Sequence, residues 1–215
     1  EWFSKEKCFK NLLDTIESNM NLTVFFDGNP YDEPQHFVTK YPVRIVCLSD
    51  GKTGARSLRG LYEFINNLQL DPETSIYVVE DDFTHLPGWG NIMREAFGTM
   101  HPQQLKVDYV TLYDHPDKYF LPQYVGLQSQ IGHTKSIHWR TIPSTVNTVA
   151  CLFKTFREDF AILHKYCCID EYLPYDHDKF VEIGKSGRTL VSCLPGYSTH
   201  TQSDVMAPCV DWKTI

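Results

Sequence analysis

The sequence predicts an α/β fold: a single domain with a mixed, mostly parallel sheet flanked by helices. Three observations predict it. Apolar runs of strand length alternate with amphipathic stretches of helix length through the first 82 residues. Each of the first three apolar runs closes on an acid, at Asp27, Asp50 and the triplet Glu80-Asp81-Asp82. No linker, internal repeat or low-complexity segment divides the 215 residues, enough chain for a sizeable core.

The elements follow in order. Phe9, Leu12, Leu13 and Ile16 recur at helical spacing, so the stretch 3–16 predicts an amphipathic helix. "LTVFFDGNP" (22–30) is a buried strand ending in Asp27 and broken by Gly28 and Pro30. "VRIVCLSDG" (43–51) repeats the design and ends on Asp50-Gly51. Leu58, Leu61, Phe64, Ile65 and Leu68 share one face of a second helix, and "SIYVVEDD" (75–82) is the third acid-tipped strand. Beyond it, "MREAFGTM" (93–100) reads as helix and "VDYVTLYDH" (107–115) as strand. Residues 120–150 are rich in Gln, Ser, Thr and His and read as short strands and loops around a site. Two helices at 152–166 and 175–187 and a last strand, "TLVSCLPG" (189–196), complete the chain. The first half, 1–106, carries the acid-tipped strands, and the second, 107–215, the less regular elements of the same single domain.

Composition limits what this fold can do. A formal charge of −7 and a pI near 5.7 argue against nucleic-acid binding, because nothing neutralises a phosphate backbone in bulk. No apolar run approaches the ~20 residues of a membrane span. Seven cysteines, an odd number without a CxxC pair, read as reduced thiols in a soluble, intracellular protein. The chain begins with Glu1 rather than Met, as one domain of a longer polypeptide would.

The candidate site grows from the acids. In α/β sheets ligands bind beyond the carboxyl ends of the strands, which would gather Asp27, Asp50 and the triplet on one rim. Three adjacent carboxylates repel one another unless they splay into water or hold a cation. A hard cation such as Mg²⁺ uses one or two carboxylates and completes its shell with substrate phosphates. Alternation sends Glu80 and Asp82 to one side and Asp81 to the other. In "HTKSIHWRTIPSTVNT" (133–148), His138, Trp139 and Arg140 stand among hydroxyls and amides, a mixture suited to a sugar, or else a polar surface loop. Asp114, His115 and Asp117 lie on a turn fixed by Pro116, either ordinary turn chemistry or metal ligands. Asp176 and Asp178 open a helix, where an acid caps or serves as a base. His200 follows the turn Pro195-Gly196, and near a cation it would be a further ligand.

Taken together, "VVEDDF", "YVTLYDHPDKY", "HWRTIPSTVNT" and "LPGYSTH" resemble glycosyltransferases of the GT-A fold, family 2-like, as in bacteria and the large chlorella viruses. The likeness covers most of residues 1–212. It implies transfer of a hexose from a nucleoside-diphosphate sugar, UDP-linked, to a glycan acceptor hydroxyl with inversion, in host cytoplasm if the protein is viral. It also implies residue roles. Asp82 would hold Mn²⁺ or Mg²⁺ against the donor diphosphate, with His200 a late metal ligand. Glu80 and Asp81 complete the acidic motif, Asp81 toward the ribose or sugar, and Glu80 stands where the family's signature has Asp. Asp27 would bond the base and Arg56 lie beside the nucleotide, with Arg140 a further donor contact. The catalytic base would be Asp176, with Asp178 the second candidate. In one departure, such folds begin with a strand before the first helix, where this chain has only Glu1 and Trp2.

Two alternatives stand beside this reading. A metal-dependent phosphohydrolase would use Asp114, His115 and Asp117 with the triplet and a closely spaced metal pair. A non-catalytic carbohydrate-binding module would stack sugars on Trp89, Trp139 and tyrosines.

Overall fold

The computed structural model describes residues 3–33, 35–48, 52–98, 105–167 and 172–215. Asp50, the tip of the second acid-ended strand, lies outside the described residues, as do Glu1 and Trp2. Helix α1 (Lys5–Thr15) starts at Ser4, whose hydroxyl accepts from Lys7 N–H, and turns Cys8 and Leu12 inward. Strands β1 (Thr23–Asp27) and β2 (Arg44–Leu48) pair in parallel, Asp27 opposite Leu48. Helix α2 (Gly54–Asn66) is capped by Thr53 and buries Ala55, Leu58, Tyr62 and Ile65, one face at helical spacing. Next come β3 (Ser75–Val78), β4 (Phe83–His85), α3 (Trp89–Gly98), β5 (Tyr109–Thr111) and the single turn α4 (Asp117–Phe120). The rest is β6 (Ile131–His133), β7 (His138–Thr141), β8 (Val149–Leu152), α5 (Phe153–Lys165), α6 (Asp176–Lys185), β9 (Leu190–Leu194) and β10 (Ser198–His200).

The protein is α/β, with an open six-stranded sheet in the order β3-β8-β5-β9-β7-β6. The pairing corrects the mostly parallel sheet read from the sequence. Within these six strands only β5 and β9 run parallel, and the other four pairs are antiparallel. The reason is β8, which lay hidden in the polar region 120–150. It inserts between β3 and β5, antiparallel to both, and runs directly into α5. Strands β1 and β2 form a separate parallel pair, and β4 and β10 a separate antiparallel one.

Both faces of the six-stranded sheet are covered, which explains why strict apolar runs suggested a parallel sheet. On one face Tyr77, Val110, Ala150, Val191 and Cys193 meet Leu12 of α1 and Trp89, Ile92, Met93 and Ala96 of α3. On the other, Ile76, Val78, Tyr109, Val149, Cys151 and Leu190 meet α2, α5 and α6 through Leu58, Tyr62, Phe156 and Phe180. The side chains alternate along every strand, and removing Val110 and Val191 wholly from water contributes roughly 1.5–3 kcal/mol each. A third cluster of Phe83, Tyr113, Ala207 and Trp212 fastens the C-terminal segment. No helix among the described residues is long and apolar enough to cross a membrane.

Candidate active site

The triplet leaves β3 at the sheet's carboxyl rim, and its three acids go separate ways. Glu80 is half-buried and held by Thr148: that hydroxyl accepts from Glu80 N–H (3.2 Å) and donates to Glu80 Oε2 (3.2 Å). Thr148 is placed in turn by β5, because Thr111 Oγ1 donates to its carbonyl at 3.0 Å. Asp81 faces away and pairs with Lys5 of α1 at 2.7 Å, both exposed, a contact of little energetic weight. Asp82 lies close enough to Glu80 that the two carboxylates repel; the triplet itself lies beyond β3, with Asp81 and Asp82 in a turn.

His200 meets Asp82 across 118 positions of sequence. The turn at Pro195-Gly196 arranges this. A Cβ on Gly196 would lie 3.2 Å from Asp114 N and 3.3 Å from Leu112 O, so only glycine lets the chain pass there without displacing backbone. Tyr197 N and Ser198 N then both donate to Leu112 O, and β10 pairs with β4, setting His200 opposite Phe83. Thr201 adds bonds from its N–H (3.0 Å) and hydroxyl (2.8 Å) to Asp82 O. The result is a His200 Nε2 to Asp82 Oδ2 distance of 3.0 Å. His200 Nδ1 accepts from Gln202 N–H at 3.1 Å, so the neutral ring carries its proton on Nε2 and donates it to Asp82.

Asp176 completes the group. It occupies the first turn of α6, whose inner face buries Lys179, Phe180 and Ile183. Neither Asp176 nor Asp178 caps the helix, because the cap position is Tyr175, without a side-chain bond. Asp176 Oδ2 accepts from Asn147 Nδ2 (3.0 Å) and Oδ1 from Lys179 Nζ (3.2 Å), while Asp178 is exposed. Neighbours Asn147 and Thr148 thus hold Asp176 and Glu80, respectively.

Charge here is unbalanced. Burial, then the charges of Asp176 and Asp82, push the Glu80 carboxyl up to about 7. Burial also raises Asp176, opposed by the charge and hydrogen bond of Lys179 and by Asn147. Burial pulls His200 down, but the hydrogen bond and charge of Asp82, with Glu80 behind it, outweigh this and raise it. Among the described residues no three His, Cys, Asp or Glu side chains converge to hold a metal by themselves. Asp82 with His200 suits a cation whose remaining ligands come from a diphosphate. For His200 to ligate through Nε2, its proton must leave that nitrogen, and the Gln202 contact must loosen.

Asp27, at the end of β1, accepts from Ser57 Oγ (3.3 Å) in the first turns of α2, next to Arg56. The helix start at Thr53 fixes that neighbourhood, with Thr53 Oγ1 accepting from Arg56 N. Arg140 departs from its expected role. It is buried, its Nη2 donates to Asp114 Oδ1 at 2.6 Å, and its guanidinium lies 4.5 Å over the Tyr119 ring. It serves Asp114 rather than the acidic motif, since β7 alternation turns it inward.

Similar contacts occupy the residues named for the two alternatives. Asp114 is taken by Arg140 and by Tyr119 OH (2.8 Å), and Asp117 by Lys118 (2.7 Å) and His115 (3.0 Å), so neither offers a free carboxylate for a metal pair. Trp139 is wholly buried with its Nε1 on Thr134 Oγ1, and Trp89 is a core residue, so neither is a stacking platform. The region 133–148 is therefore no surface loop. Its Ser144, Thr145, Asn147 and Thr148 are buried, and two of them build the site.

Sequence reasoning placed Asn147 and Thr148 only within a polar cluster suited to a sugar, and it missed Lys179. A lysine on the apolar face of α6, at the spacing of Phe180 and Ile183, was the available signal for the last. In comparisons with known proteins, no family model matches the chain, and no curated protein matches it.

Proposed function

We propose that the protein is a metal-dependent glycosyltransferase that moves a sugar from a nucleoside-diphosphate donor, UDP-linked, to a glycan hydroxyl with inversion. One observation carries the reading: Glu80, Asp82, Asp176 and His200, from three distant parts of the chain, share one rim where acids neighbour acids. Lys179 pairs with Asp176, but no Lys or Arg among the described residues forms an ion pair with Glu80 or Asp82, and that open charge invites a cation and a phosphate. Asp82 and His200 would hold Mn²⁺ or Mg²⁺, which when bound neutralises charge on the leaving diphosphate as a Lewis acid.

The chain's own residues do the rest. Asp27 accepts from the base, and Arg56, one position from Ser57, faces the nucleotide. Asp81, exposed and paired with Lys5, would exchange that partner to reach the ribose or sugar. Asp176 accepts the proton of the acceptor hydroxyl as its oxygen bonds to the anomeric carbon. The bond from that carbon to the diphosphate breaks, and the diphosphate leaves with the electron pair. Asn147 and Lys179 orient Asp176 for this, and Glu80 lines the site between Asp176 and Asp82. Incubating the protein with UDP-, GDP- and dTDP-sugars with and without Mn²⁺ tests the reading. Metal-dependent release of the nucleoside diphosphate is expected, strongest with UDP, and lowered about 10²–10⁴-fold in Asp176→Asn. Release of inorganic phosphate from simple phosphoesters instead would overturn it.

A further inference from the structure

We propose that Lys179 is a positioning residue for Asp176, fixing its carboxylate and keeping it ionised from inside the core. The inference rests on the reading of Asp176 as the base, but its geometry is independent of the reaction. The Lys179 side chain has no solvent exposure. Its three protons meet three acceptors: Asn147 Oδ1 at 2.5 Å, Asp176 Oδ1 at 3.2 Å and Tyr62 OH at 3.3 Å. The ammonium also lies 5.1 Å from the Phe180 ring centre and 5.6 Å from that of Tyr62.

A buried ammonium is expensive, and an apolar side chain of the same length would fill the space at no such cost. What the lysine adds is local. Lys179 and Asp176 stand three apart on α6, and Asn147 joins both, donating to Asp176 Oδ2 while accepting from Lys179. Each carboxylate oxygen is thereby tied, one to each partner, so the carboxylate cannot turn away from the rim.

Apart from Lys179 and the Asn147 amide, which favour the ionised form, the charge facing Asp176 works against it. Glu80, beyond β3, is close enough that the two carboxylates repel. On α6 itself, His177 is turned to Tyr124 OH and Ser144, and Asp178 is exposed. Tyr62 of α2, whose hydroxyl burial pushes up to about 12, and the Cys167 thiol after α5 face Lys179. Lys179 is the positive charge in contact with Asp176 among the described residues. Without it, a half-buried carboxyl beside Glu80 would keep its proton and fail as a base.

Carbon-13 NMR of the aspartate carboxyls, assigned through Asp176→Asn, tests this in the full chain. In the wild type Asp176 is expected to be deprotonated at pH 7. In Lys179→Met and Lys179→Gln its titration is expected to move to higher pH. The acid limb of UDP-sugar hydrolysis should move with it, lowering the rate at pH 6 about tenfold or more and recovering toward pH 8 at unchanged KM. An unmoved Asp176 titration in either folded variant overturns the proposal, even if both are less stable. Should neither variant fold, a protonated wild-type Asp176 at pH 7 overturns it, and a deprotonated one supports it. If the wild type hydrolyses no nucleotide sugar, the transferase reading fails, while the carboxyl titration still decides the role of Lys179.

Discussion

The two ends of the central sheet both carry acids, and they treat them in opposite ways. At the amino ends of the parallel pair, Asp108 precedes β5 and Arg188 precedes β9. Arg188 donates to Asp159 (2.9 Å), Asp108 (3.3 Å) and Glu158 (2.6 Å), while Tyr109 OH donates to Asp159 and Thr189 N to Asp108. Every acid there touches a cation or several donors. At the carboxyl rim, by contrast, no Lys or Arg among the described residues forms an ion pair with Glu80 or Asp82: Glu80 feels Asp176 and Asp82, and Asp82 pairs with His200, with Lys5 acting on it only through its field. A network built for stability closes on itself. A rim built to receive a charged ligand stays open, and the fold carries the electrostatic cost.

That contrast can be broken at either end. Arg188→Met should have the largest effect on stability, about 3–5 kcal/mol lost in urea unfolding, because it removes the cation from the buried Asp159, while Asp108 keeps Lys106 and Thr189 N–H. UDP affinity of the folded fraction should hold. A loss below about 1 kcal/mol would mean the network is only decorative.

Glu80→Gln should do the reverse. The Glu80 carboxyl is pushed up to about 7 in the fold against 4.5 in the unfolded chain, so its ionisation destabilises the native state. The penalty is absent below pH 4.5, grows as pH rises to 7, and is complete above. The glutamine variant should therefore gain up to about 3 kcal/mol at pH 8 and little at pH 4. A gain independent of pH would locate the effect elsewhere.

Asp178→Asn should have the smallest effect, within about 0.5 kcal/mol in stability, because its side chain is exposed. Turnover should stay as it was. Loss of turnover there, with Asp176→Asn active, would exchange their roles.

Much of this rim was legible in the sequence, because strand ends are. The run into Asp27 marks the end of β1, and the run into Glu80 overshoots the end of β3 at Val78 by one residue. What stayed hidden depends on pairing, which single-chain periodicity does not encode. Strand β8 is four residues in a polar region, and its insertion beside β3 turned an expected parallel sheet largely antiparallel. The three-residue strands β4 and β10 were too short to read, yet their ladder carries His200 to Asp82. Trp139 and Arg140 misled because their neighbours are polar. The hydroxyls and amides around them turned out to be buried hydrogen-bonding groups rather than solvent-facing ones.

The central claim is that the open acidic rim receives a cation and a nucleoside diphosphate together. Calorimetric titration of UDP into the wild type and Asp82→Asn, each with and without Mn²⁺, tests it directly. UDP should bind the wild type more tightly in the presence of Mn²⁺, and the folded variant should lose that metal-dependent gain. Equal metal-dependent affinity in the two proteins, or none in the wild type, would contradict it.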